Sequence, residues 1–401
     1  MHIVSSADIL LPQTEDMTAW SVIACDQFTS EPEYWAAAEK RTAGKPSTLS
    51  MIFPEAWLSG KRAEGADARI ADTMHRYLAE NIFREISDSF IYVERTLPDG
   101  RVRRGLMAML DLEAYDFSAH SRASVRATEG TVEERLPARI NIRRLAPLEI
   151  PHTLLLMDDR DDTVLTLAKN ARENDEKLYD FNLMLGGGRI SGWRVSGALK
   201  ERVQAALDML DDGALQREKY GDAADNGKLT FAVGDGNHSL AAAKRFWEEK
   251  RARLPENERE NDPARYALVE IENIHEPALD FEPIHRVLFN TDTASFTSEY
   301  DARRTEWESP EKTLGERVAA ADRFCRDYIS AHGGRVDYIH GDETARALGE
   351  KADCATVLLP PVEKSDLFLS VLKNGALPRK SFSMGNAKDK RYYLECRKII
   401  K

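Results

Sequence analysis

The sequence predicts a mixed α/β fold of the α+β class, with a small α/β subdomain towards the C-terminal end. Three observations predict it. β-prone apolar runs recur between amphipathic segments along the chain. The composition turns polar and charged from Asn290 to Lys312. Beyond that stretch, helical and strand-like patterns alternate as far as Leu359. The division is placed at residue 289: a core over 1–289, and a subdomain over 290–401 whose final strand returns to the core. A chain of 401 residues can bury a substantial core.

Taken in order, Ile3 to Leu11 reads as a strand stopping at Pro12, and Trp20 to Cys25 as a second strand ending at Asp26. Thr29 to Glu33 offers a hydroxyl cap, early acids and Pro32, which opens a helix through Tyr34 and Trp35 to Lys40. Asp26 therefore stands at a strand–helix junction, either as a catalytic or metal-binding carboxylate or as a turn aspartate bonded to local amides. Cys25, with no basic neighbour in sequence, reads as a buried small residue. Ala63 to Phe83 has the period of a long helix, with Ile70, Met74, Tyr77 and Leu78 on one side. Phe90 to Arg95 and Val102 to Leu110 flank Asp99-Gly100 and predict a hairpin.

No period holds from Val125 to Arg135, where Arg126, Glu129, Thr131 and Arg135 crowd ahead of a basic helical stretch, Ala138 to Leu145. Either Thr131 and Glu134 form a capping box there, or Glu129 is a base or metal ligand and Arg126 an anion clamp. Ile150 to Met157 is strand-like, and Asp158 to Asp162 follows as a solvated acidic turn. Gly186-Gly187-Gly188 joins two β-like runs as a hairpin turn, with no helix start behind it to cradle phosphate. Leu199 to Leu210 is helical and Asp211 to Asn226 reads as a loop. After the stretch discussed below come the strand Tyr266 to Glu272 and the extended segment Phe281 to Phe289, shaped by Pro283. In it His285 and Arg286 either face a site or bond the local backbone. The subdomain comprises helix Leu314 to Ser330, a Gly333-Gly334 turn, strand Val336 to Ile339, helix Asp342 to Leu348 and strand Ala355 to Leu359. Lys364, Arg379 and Lys380 in the closing loops are candidates for holding a phosphate.

Composition removes several function classes. The net charge of −12 opposes general binding to a phosphate backbone, and Arg139 to Arg144 is only a small basic patch. No apolar run reaches membrane-spanning length, and the N-terminal residues lack the order of a secretion signal, so the protein is expected in the cytoplasm, away from membranes. The four cysteines, Cys25, Cys325, Cys354 and Cys396, form no CxxC pair, which argues against a disulfide framework or a zinc site. Homo-oligomerisation stays open.

The chemistry concentrates at Leu229 to Val233, Gly234-Asp235-Gly236-Asn237-His238-Ser239 and the alanine-rich segment from Leu240 to Trp247. An apolar strand breaks at a turn with two glycines and an amphipathic helix follows directly. The first amides of a helix have no internal partner and carry the positive end of its dipole, and glycine admits a ligand close to the backbone. Phosphate suits such a place. Asp235, Asn237 and Ser239 are also good capping residues, and the glycines would serve a plain turn equally well.

These residues carry a resemblance. The stretch Phe231 to Ala243, with Cys25-Asp26, Arg126 to Thr131, Pro283 to Arg286 and Leu377 to Ser381, resembles the bacterial and archaeal family catalogued as domain of unknown function 1015. That family is similar to the ParB/sulfiredoxin-like superfamily, which includes an archaeal ADP-dependent free-serine kinase. The resemblance implies a ParB/sulfiredoxin-like core and nucleotide binding at the Asp-Gly-Asn-His-Ser loop. This chain departs from the commoner Asp-Gly-His-His-Arg by carrying Asn237 and Ser239, so the phosphate-clamping arginine is absent from the loop; Arg126, Arg286 or Lys244 could replace it. Asn237 also stands where sulfiredoxins have their reactive cysteine, and an amide cannot act as a thiolate.

The expected function is that of a nucleotide-binding phosphotransferase acting on a small hydroxylated or amino-acid-like metabolite. In it the amides of Gly236 to Ser239 hold phosphates of ADP, ATP or CTP, His238 contacts the transferred group, Asp235 bears Mg²⁺, and Glu129 or Asp26 deprotonates the acceptor. The alternative is a non-catalytic nucleotide or metabolite sensor using the same loop. A DNA-segregation role would need a basic face or a helix-turn-helix pair, and the sequence offers neither.

Overall fold

The computed structural model describes residues 2–58 and 61–400, apart from the side chain of Lys61. It shows the mixed α/β class. Most strands join one large sheet, in the order Lys177–Asn182, Arg189–Val195, Phe83–Thr96, Val102–Asp111, Tyr266–Asn273, Leu154–Met157, Phe231–Asp235, Val125–Ala127 and Tyr115–Asp116; Val4–Ser5 and Ala7–Pro12 add to its N-terminal hairpin. Alternation along each strand sends neighbouring side chains to opposite faces. Ile91 and Val93 join Met107, Leu268, Trp20 and Trp35 in one core, while Phe90 and Tyr92 join Leu106, Val269, Trp193 and Trp247 in another. One buried tryptophan group therefore anchors each face.

A second sheet of four strands has Phe281–Phe289 at its centre, between Arg335–His340 and Cys354–Val357, with Phe382–Met384 on its first residues. Helices Leu314–His332 and Asp366–Asn374 cover it around Trp307, Phe324 and Phe368. The chain then returns to the large body: Tyr392–Tyr393 pairs with Val22–Ile23, and Arg397–Lys398 with Leu148–Glu149.

Several elements differ from the sequence reading. Met17–Trp20 is a short helix, because the Asp16 carboxylate accepts the Ala19 amide at 3.0 Å and holds the turn; only Val22–Ile23 of that run is strand. The predicted long helix ends at Ala79, and Phe83 already belongs to a strand. The segment read as a loop contains helix Gly213–Tyr220, started by Asp212, whose carboxylate accepts two amides. The acidic turn is not solvated at its start. Asp158 is buried and accepts hydrogen bonds from Tyr220 (2.6 Å) and His275 (2.6 Å), and Asp159 accepts the Val164 amide at 2.8 Å. Thr131 caps nothing: helix Leu136–Leu145 begins after a 3₁₀ turn at Glu133–Arg135, without a side-chain cap.

Candidate functional site

Strand direction assembles the site. Phe231–Asp235 runs parallel to Val125–Ala127 and antiparallel to Leu154–Met157, with Val233 opposite Ala127 and Asp235 opposite Leu154. The residues after the first two strands and those before the third therefore meet at one edge. Thr128 and Glu129, Asp235 to Ser239, and His152 and Thr153 are brought together from three parts of the chain. The three strands are buried along most of their length, and the one charged side chain short of their ends, Arg126, is spent on carbonyls, so their ends are left to carry polar chemistry.

Gly236 turns this edge with φ +77°, and a Cβ there would lie 2.8 Å from Thr153 Oγ1, so both its conformation and its neighbour require glycine. Helix Asn237–Arg251 starts directly after it with no side-chain cap, which leaves its first-turn amides facing outwards. Asp235 Oδ1 accepts the Gly236 amide at 2.9 Å, and its other oxygen faces the Lys390 ammonium at 3.5 Å. Thr128 donates to the Val233 carbonyl at 2.6 Å, and Asn237 Nδ2 reaches the Thr128 hydroxyl at 3.5 Å. Asn237 Oδ1 and the Thr131 hydroxyl are buried without a hydrogen-bond partner among the described residues.

Three titratable groups take distinct states here. Burial, reinforced by the cations Arg139, Arg135 and Arg379, lowers His238 to about 4, so the ring is neutral at pH 7. Its Nε2 accepts the Val132 amide at 3.2 Å, which assigns the remaining proton to Nδ1. Burial raises the Glu129 carboxyl, with Asp235 adding to the effect against the pull of Lys380, Arg379 and Lys390. Burial also works to raise Asp26, yet His152, Gln27 and Lys390 outweigh it and hold that carboxyl below its usual range. One carboxyl is thus eased towards its protonated form while another nearby is kept ionised.

The sequence reading did not anticipate the relay beside Asp26. Ser239 Oγ lies 3.4 Å from His152 Nε2, His152 Nδ1 lies 2.8 Å from the Tyr393 hydroxyl, and that hydroxyl is 3.2 Å from Cys25 Sγ. His152 Nε2 is 4.0 Å from Asp26. Burial and the neighbouring Asp26 push the Cys25 thiol up to about 12, so it stays protonated. A cavity of about 560 Å³ opens beside this relay, with Cys25, His152, Thr153, Ser239 and Tyr393 in its wall.

Cations ring the helix start. Lys390 pairs with Asp235 and Arg139 with Glu55, while Arg135, Arg379 and Lys380 make no ion pair or side-chain hydrogen bond among the described residues. Other candidates lie elsewhere. Arg126 is buried, donating to the carbonyls of Ala123, Asn226 and Lys228, so it staples a loop and is no anion clamp. His285 is fully buried in the smaller sheet, accepting the Leu359 amide at 3.1 Å and facing Asp342 at 2.8 Å. Arg286 beside it is held by Asp322 and the Ile284 carbonyl. Lys244 donates to the Leu112 carbonyl, and Lys364 to that of Glu276. None of these replaces the arginine missing from the loop. Among the described residues no cluster of three or more His, Cys, Asp or Glu could hold a metal ion, so Mg²⁺ at Asp235 would need most of its oxygen ligands from a bound phosphate and water. No helix there is long and apolar enough to cross a membrane.

The family model described as Protein of unknown function (DUF1015) matches residues 6–398. No curated protein matches the chain. Among solved structures, the chain is similar to a free serine kinase in complex with AMP, at 10% identity and a TM-score of 0.35, over 73% of this chain and 92% of that one. A variant of a free serine kinase in complex with ADP gives 9% identity and 0.35 over the same shares. A conserved hypothetical protein from Pyrococcus furiosus gives 10% identity and a TM-score of 0.32, over 72% of this chain and 94% of that one.

Proposed function

We propose that this chain, which belongs to the DUF1015 family, binds the phosphates of a nucleotide at the start of helix Asn237–Arg251 and transfers a phosphoryl group to a small hydroxylated or amino-acid-like metabolite. The observation that carries the reading is the uncapped helix start beside three exposed cations, Arg135, Arg379 and Lys380, that pair with nothing among the described residues in a protein of net charge −12. An acidic chain has carboxylates to pair its cations. Cations left unpaired around outward amides favour a multiply charged anion.

In this reading the amides of Asn237 to Ser239 and the ring of cations hold the phosphates, the Gly236 amide being engaged by Asp235. Arg139 and Arg379 stand in for the arginine that the loop lacks. The Nδ1 proton of neutral His238 contacts the transferred group. Asp235, paired with Lys390, would be the carboxylate that holds Mg²⁺ carried by the phosphate, and the ion would supply neutralisation of the phosphate charge. Glu129, raised by burial, takes the proton of the acceptor hydroxyl as the new O–P bond forms and the bond to the departing nucleotide breaks. Asp26 remains ionised and orients the acceptor. The protein works in the cytoplasm without nucleic acid or membrane.

Calorimetric titration with ADP, ATP and CTP, with and without Mg²⁺, tests the binding, and incubation with a metabolite pool tests the transfer. Micromolar affinity for one nucleotide, weakened in Lys390→Ala, and turnover lost in Glu129→Gln are the expected results. Absence of binding to all three sinks the proposal. Binding without transfer, indifferent to Glu129→Gln, would make the protein a sensor.

A further inference from the structure

The cavity beside the relay has a chemical character of its own. Its volume of about 560 Å³ falls within the range of roughly 300–1,000 Å³ found for small-molecule sites. Its wall is aliphatic and thioether-rich: Met51, Ile70, Met74, Ile142, Leu148 and Leu268 line it, and of its aromatic side chains Phe53 stands apart while Tyr393 is engaged with His152. A nucleobase or sugar would want stacking faces and free polar partners, and this wall offers few. The Glu149 carboxylate in it already accepts from Arg143, Arg397 and the Leu268 amide. The Nε of Arg143 is the only buried lining side-chain atom without a hydrogen-bond partner among the described residues.

The cavity borders the proposed phosphate site through two of its lining residues. Thr153, which touches Gly236, and Ser239, in the first turn of the motif helix, belong to its wall. The ion pair of Glu55 and Arg139 stands at the same end, with Cys25 and His152. An apolar chamber that ends at a cationic helix start fits a molecule with one anionic end and one hydrocarbon end. Resting on the phosphate-site reading above, we infer that the acceptor is an amphiphile: a hydroxyl or phosphate head at Asp235 to Ser239, and a single aliphatic chain or large apolar side chain filling the cavity. Serine-sized polar acceptors would leave that apolar surface bare.

Monomeric alkyl phosphates of increasing length, from ethyl to octyl, test this by calorimetry on the full chain, with inorganic phosphate and octanol as the two half-ligands. Each methylene that enters the cavity should tighten binding about fourfold until the chamber is full. Ile142→Trp, which places a ring in the cavity, should abolish the dependence on length and leave inorganic phosphate affinity unchanged. Should that variant fail to fold, Ala138→Phe on the exposed edge of the same wall carries the same test. Phosphate binding that ignores chain length overturns the amphiphile and leaves the anion site standing. Octanol binding as tightly as octyl phosphate overturns the anionic head, and with it the phosphate-site reading. Capture of phosphatidic acid vesicles in place of the monomeric phosphates would overturn the single-chain ligand.

Discussion

Two clusters of charge meet at consecutive residues, Lys390 and Arg391, and they differ in whether their charges balance, closed in the one and open in the other. Beneath the returning C-terminal segment, Arg391 bridges Glu270 and Glu395, the Tyr179 hydroxyl donates to Glu395 at 2.5 Å, and Arg103 lies 2.8 Å from Glu272. Arg95 donates to the carbonyls of Gly187, Lys388 and Lys390. Two arginines meet three glutamates, the third arginine is spent on carbonyls, and all six side chains are buried. At the start of helix Asn237–Arg251, Arg135, Arg379 and Lys380 face no carboxylate at bonding distance among the described residues. A closed cluster holds the fold together. An open one keeps its electrostatic capacity for a visitor.

The sharpest way to break this contrast is to open the closed cluster. Arg391→Ala strands Glu270 and Glu395 without their cation in the interior, which should cost about 3–5 kcal/mol in urea denaturation. Next in size is the turn at the open cluster. Gly236→Ala forces a Cβ against Thr153 at a left-handed φ and should cost about 1–3 kcal/mol, with loss of ligand affinity. Lys390→Ala, one position before Arg391, should cost about 1 kcal/mol, less than Arg391→Ala, because it gives up one 3.5 Å pair with Asp235 while the carbonyl that Arg95 uses is unaltered. The same change should weaken phosphate binding about tenfold, the effect of ~1.4 kcal/mol.

Two smaller effects sharpen the comparison through pH. Glu129 has a raised carboxyl, so the folded chain holds that proton more tightly than the unfolded chain does. Stability should therefore fall as pH rises from the ordinary glutamate range through the raised value, and Glu129→Gln should remove that decline in denaturation curves measured across pH. His238 behaves oppositely in origin. Its folded value of about 4 lies below the ordinary 6.5, so the unfolded chain takes the proton first and stability falls as pH drops through that interval. His238→Gln should flatten this acid limb.

How far the sequence anticipates such a site depends on distance along the chain. The strand Phe231–Asp235, the turn and the helix behind it are written in adjacent residues, and period and glycine placement read them correctly. The alternation that builds the large sheet is equally local. Lys390, Arg139, His152 and Tyr393 carried no such signal, because what gives them meaning is a strand end or a returning segment far away in sequence. The clue for His152 was a polar residue just ahead of the apolar run Leu154–Met157, and for Lys390 two adjacent cations before a β-prone pair. Arg126 shows the converse error. It sits in a suggestive cluster, yet the nearby carbonyls of a loop use up its donors. Asp158 and Asp159 misled for a related reason: a run of acids looks solvated until Tyr220 and His275 arrive to cover it.

The returning segment has a consequence for biosynthesis. Cys25 is synthesised 368 residues ahead of Tyr393, which completes the wall of the same pocket. At about 5–20 residues per second, the nascent polypeptide waits tens of seconds with the edge of Val22–Ile23 unpaired and the apolar chamber lacking part of its wall. A product that stops short of Tyr393 therefore lacks part of the pocket wall and the partner of Val22–Ile23.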